Sequence, residues 1–72
     1  MTMFYEVWDG DSGNRLGQFA TRAEAEAVLA DVLRVSGVVA VLDLAILAYA
    51  DGEKPRTILE GSEYVERIAV RA

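Results

Sequence analysis

Seventy-two residues make one domain, near the lower end of what folds without a staple. The chain has no cysteine and no histidine, which excludes disulfides, thiolate nucleophiles and the usual structural zinc sites. Twelve acids against seven bases give a net charge of −5 with no basic stripe, which argues against nucleic-acid and anionic-membrane partners.

Phe4-Tyr5-Glu6-Val7-Trp8 is aromatic and β-branched, a composition that fits a strand. Turn formers follow at every position of Gly10-Asp11-Ser12-Gly13-Asn14. Arg15-Leu16-Gly17-Gln18-Phe19 resumes an extended pattern, so residues 4 to 19 read as a β-hairpin.

A helix is predicted over 21–36. Thr21 and Glu24 have the capping-box spacing, in which each side chain satisfies the other residue's backbone amide. Ala25, Val28, Leu29, Val32 and Leu33 recur at helical intervals and form one apolar stripe. Gly37 supplies the left-handed stop. From Val41 to Ala50 the chain is apolar except for Asp43, and the Gly37 stop and the Asp51-Gly52 turn bracket this run as a strand. Arg56-Thr57-Ile58-Leu59-Glu60 is the return strand. Ser62 can cap a short helix from Glu63 onward, with Tyr64, Val65 and Ile68 as its apolar side.

The expected fold is therefore α+β, ββαββ with a short C-terminal helix: a four-stranded antiparallel sheet with one main helix on one face. The run Tyr5-x-Val7-Trp8-Asp9, then Ser12-Gly13-Asn14-x-Leu16-Gly17-x-Phe19, then the helix opening at Glu24-Ala25, resembles small bacterial ββαββ domains of unassigned function. The likeness covers the first half of the chain and, more loosely, the Asp51-Gly52 hairpin. It implies a fold and brings no activity or site with it.

Three polar or aromatic features bear on chemistry. The Asp9-Gly10-Asp11-Ser12-Gly13-Asn14 cluster has the Asp-x-Asp spacing of a Ca²⁺ loop. It puts Asn14 where an EF-hand needs its invariant glycine, and Ala20 where the bidentate glutamate belongs. A hairpin loop is the better reading, with Gly and Asn at positive φ and aspartates bonding local amides. No metal or other cofactor is expected. Asp43, an acid inside an apolar strand, is the candidate for a raised carboxyl pKa. The competing reading is an acid on the solvent face, or one paired with a cation such as Arg56, so no catalytic residue is assigned. Trp8 lacks cationic neighbours for base stacking and reads as an apolar anchor on a sheet face or at an interface.

These features predict a non-enzymatic, cytoplasmic interaction module. One helix covers one sheet face, yet the strand over 41–49 is apolar in both phases, and Phe4 and Trp8 flank Glu6 on one phase of the first strand. The uncovered face should pair with a second copy in a two-fold dimer, with Phe4, Trp8, Leu44, Ile46, Leu47 and Tyr49 as interface residues. The rival is that the C-terminal helix folds over that face. The alternative function is a small acidic regulator that binds a nucleic-acid-processing protein or a small ligand.

Overall fold

A computed structural model describes residues 3–71. The alternation of Tyr5 and Val7 with Phe4, Glu6 and Trp8 becomes strand β1 (Met3–Asp9), which turns at residues 10–13 into β2 (Asn14–Phe19). Helix α1 (Arg22–Ser36) follows, then a short helix α2 (Val38–Leu42), strands β3 (Leu44–Ala50) and β4 (Arg56–Glu60), and helix α3 (Gly61–Arg71). The four strands form one antiparallel sheet in the order β2-β1-β3-β4, which places the two hairpins side by side.

Helix α1 begins as its sequence requires. The Thr21 hydroxyl accepts the Glu24 amide at 3.2 Å, and the Glu24 carboxylate accepts the Thr21 amide at 3.2 Å. Ala25 and Leu29 are fully buried, while Val28, Val32 and Leu33 pack partly buried beside them. The helix ends at Gly37, whose φ of 87° is open to glycine and strained for other residues.

The strand expected from Val41 to Ala50 starts late. Residues 38–42 form a helical turn and a half that takes in Val41 and Leu42, and β3 starts only at Leu44. The physical reason is the bend at Gly37, which leaves α2 able to sink Val41 completely into the core while Val38, Val39 and Leu42 stay exposed. Asp43 closes α2, its amide donating to the Val41 carbonyl, and its own carbonyl accepts the Gly10 amide at 2.7 Å. Asp43 is thus an exposed junction residue, not an acid within a strand, and Arg56 starts β4 at the other end of the sheet.

The C-terminal helix also differs from expectation. It begins at Gly61, directly after β4, and runs for 11 residues. Ser62 is inside the helix, and the Glu63 carboxylate caps its start by accepting the Glu60 amide at 3.1 Å. Gly61 is required by close approach: a Cβ there would overlap the Val41 carbonyl and crowd that of Leu44.

All three helices lie on one face of the sheet. Val7, Leu44, Ile46 and Leu59 from the strands form a single cluster with Ala25, Leu29, Val41 and Tyr64. Val65 and Ile68 pack against the same cluster, and Arg67 of α3 reaches Glu26 of α1 at 3.4 Å. The rival arrangement, with α3 across the second face, does not occur.

Candidate functional site

The face opposite the helices is the feature that the fold leaves open. Register places Phe4, Glu6 and Trp8 of β1 across from Tyr49, Leu47 and Ala45 of β3. Outside them, Gln18 and Arg15 of β2 pair with Glu6 and Trp8, and Thr57 and Glu60 of β4 pair with Leu47 and Ala45. The two central strands are therefore apolar apart from Glu6, and both edges are polar. Phe4 and Tyr49 stack face to face, with ring centroids 4.8 Å apart and planes 4° from parallel. No other described element covers this surface, and its apolar side chains are half-buried only by one another.

Glu6 sits at the middle of that face and is 5% exposed. The Trp8 indole N–H donates to Oε1 at 2.9 Å, and the Arg15 Nη1 donates to Oε2 at 2.7 Å. The Tyr49 hydroxyl interacts with the same carboxylate. Donors thus come from β1, β2 and β3, and they tie the three strands together through one acid. Burial alone would push the Glu6 carboxyl up. The hydrogen bonds from Tyr49, Arg15 and Trp8, with the Arg15 charge, outweigh burial and hold it below its ordinary value. The Tyr49 hydroxyl is pushed up, first by its hydrogen bond to Glu6, then by burial and the Glu6 charge.

Arg15 reaches Glu6 because of a β-bulge. Val7 pairs with Gly17, but the next residue, Trp8, pairs with Arg15, so Leu16 is an extra residue. Strict alternation would place Leu16 opposite Trp8 and turn Arg15 to the helix side. The bulge instead brings Arg15 to the open face and leaves Leu16 47% exposed.

Of the six residues expected at an interface, Phe4, Trp8, Leu47 and Tyr49 lie together on the open face. Leu44 and Ile46 do not. They are 4% and 0% exposed in the core under the helices, because the even positions of β3 face that way. Glu6 and Arg15 were missed as a pair. An acid between Phe4 and Trp8 on one phase was visible in the sequence, while the bulge that supplies its partner was not.

The loop at 9–14 has the geometry of a hairpin turn. The Asp9 carboxylate accepts the Asp11 amide at 2.9 Å, the Ser12 hydroxyl accepts the Asn14 amide at 3.3 Å, and the Gly13 amide bonds the Asp9 carbonyl. Gly13 takes positive φ, but Asn14, expected to share it, starts β2 in the ordinary extended region. A second apolar surface lies at the α1–α2 corner, where Val35 and Val39 are 73% and 78% exposed. Among the described residues no helix is long and apolar enough to cross a membrane. Comparison with models of protein families, with curated proteins and with solved structures finds no match.

Proposed function

We propose that this chain is a non-catalytic interaction module that pairs with a second copy of itself through the open sheet face. One observation carries the reading. The helix-free face has an apolar centre and a polar rim, the anatomy of a protein interface, and its single central acid is already desolvated and partnered. A glutamate on a solvated strand ordinarily extends into water. Glu6 is instead buried, with a donor on each oxygen, so covering it further removes little hydration.

A second copy is favoured by shape. The chain exposes 4777 Å², about a tenth more than the roughly 4,400 Å² expected for a compact monomer of its mass. The molecule is a slab 16 Å thick in its shortest dimension, with helices on one side only. Two slabs packed sheet to sheet give a closed α/β/β/α arrangement with the sheets about 10 Å apart. Four strands about 4.8 Å apart, the two central ones seven residues long, present a face of at most about 19 × 23 Å. Two such faces total about 900 Å², below the range of stable interfaces and within that of weak, transient ones, so dissociation is expected at micromolar concentrations.

Sedimentation equilibrium over that range should give masses between one and two times 7.8 kDa. Leu47→Lys should return the protein to a monomer without unfolding it, while Val39→Asp at the α1–α2 corner should leave association intact. A strict monomer at every concentration refutes the proposal. Dissociation by Val39→Asp and not by Leu47→Lys would move the interface to the helix corner.

A further inference from the structure

We propose that the depression at the β3–β4 hairpin binds a small zwitterionic carboxylate of the α-amino acid type. It is a cavity of about 360 Å³ lined by Met3, Ala48, Ala50, Glu53, Lys54 and Arg56, in the size range of small-molecule sites. Its floor is apolar. Ala48 and Ala50 are on the helix-bearing side of β3, and Met3 pairs with Ala50 across β1. Small side chains at both β3 positions leave the space above them empty.

The charged groups on its walls are what point to a ligand. Among cations with described side chains, Arg15, Arg22, Arg34 and Arg67 are each paired with a carboxylate. Lys54 and Arg56 make no such pair, and both line this one cavity. In a chain of net charge −5 with a single lysine, two unmatched cations at one place run against the average composition. Glu53 shares the wall and forms no ion pair with either of them, although opposite charges stand close by in sequence.

Arg56 owes its place to a second bulge. Ile46 pairs with Leu59 and Leu47 with Thr57, so Ile58 is the extra residue, and Arg56 falls opposite Ala48 on the cavity side. Without it, alternation would send Arg56 to the open face.

Two cations and one carboxylate around an apolar floor match a ligand with the complementary set. A carboxylate meets the Arg56 fork and the Lys54 ammonium, an ammonium meets Glu53, and a short aliphatic side chain rests on Met3, Ala48 and Ala50. A phosphate dianion is disfavoured by Glu53. This site lies on the opposite side of the sheet from the proposed dimer face, so it stands or falls separately.

The test is an amide chemical-shift titration of the ¹⁵N-labelled protein with L-valine, isovalerate and inorganic phosphate. L-Valine should give saturable shifts at millimolar concentration, confined to Met3 and residues 48–56. Isovalerate, which lacks the ammonium, should bind more weakly, and phosphate should not saturate. Arg56→Ala should weaken L-valine at least about fivefold, with Lys54→Ala as the second variant if core resonances move. Glu53→Gln should abolish the preference for L-valine over isovalerate. Absence of saturable shifts with L-valine overturns the site. Isovalerate binding as tightly, or phosphate binding more tightly, overturns the ligand class.

Discussion

Replacing Glu6 by glutamine keeps the side chain's shape, and the structure says that this should still hurt. Each carboxylate oxygen holds its own donor, the Trp8 indole on one and the Arg15 guanidinium on the other. Glutamine has one oxygen, so its amide nitrogen must face one of these donors. A lost charge-assisted bond with a donor left unmatched costs about 1–3 kcal/mol. The Arg15 side chain is 51% exposed, so water can reach its guanidinium where that is the donor left unmatched. The lower part of the range, about 1–2 kcal/mol, therefore applies. For a domain of this size each kcal/mol moves Tm by about 4–8 °C, which a circular-dichroism melt at fixed protein concentration resolves easily. The pH dependence has a definite sign. The folded carboxyl titrates below its ordinary value, so its contribution is complete above roughly pH 4.3 and is lost as pH falls through the folded value. The gap between wild type and Glu6→Gln should be widest at neutral pH and close on acidification below about pH 4.3. At the alkaline end, the raised Tyr49 hydroxyl should fall back toward an ordinary tyrosine in the variant, read by absorbance titration. A variant that melts at or above wild type at pH 7, or a gap that acid does not change, refutes this account of the open face.

Gly61→Ala sets helix propensity against packing. Alanine is the better helix former by about 1 kcal/mol, but its Cβ would overlap the Val41 backbone carbonyl, and overpacking of about 1–3 kcal/mol should win. A melting temperature at or above wild type would show that α2 can move aside. Leu29→Ala, at a fully buried site, should cost about 2–5 kcal/mol in denaturant unfolding, and a loss below about 0.5 kcal/mol would put the α1 stripe in the wrong phase. Millimolar Ca²⁺ or EDTA should leave Tm unchanged. A rise of several degrees with Ca²⁺ that disappears in Asp11→Ala would overturn the hairpin reading of residues 9–14.

Local rules with a short range were legible in the sequence, and long-range registration was not. Thr21 with Glu24, the 25-28-29-32-33 stripe and the stop at Gly37 each depend on a few neighbouring residues, and α1 follows them closely. The difference at 41–43 arises because a short apolar run carries no period, so a bracketing glycine and turn could support a strand as well as a helical turn. What decided it was tertiary: Val41 finds a buried place at the start of α3, over Gly61. The mixed list of interface residues has the same origin. Leu44 and Ile46 share an apolar strand with Leu47 and Tyr49, and only the packed helices say which phase is inside.

Both candidate sites depend on the residues that alternation could not see. β1 alone shows an acid between two aromatics, and β2 alone shows an arginine whose straightforward register points it away from that acid. One extra residue, Leu16, reverses the arginine and gives a buried carboxylate the cationic partner it would otherwise lack. Ile58 does the converse on the other edge, withdrawing Arg56 from the open face and leaving Thr57 and Glu60 as its rim there. The two bulges together settle where charge lies on each side of a sheet whose central strands are almost wholly apolar. A strand pattern read at period two would have set Arg15 against the core and Arg56 on the open face. Neither place offers Arg15 its acid or Arg56 its cavity. Insertion of single residues into the edge strands, rather than the composition of the centre, is what gives this sheet two chemically different faces.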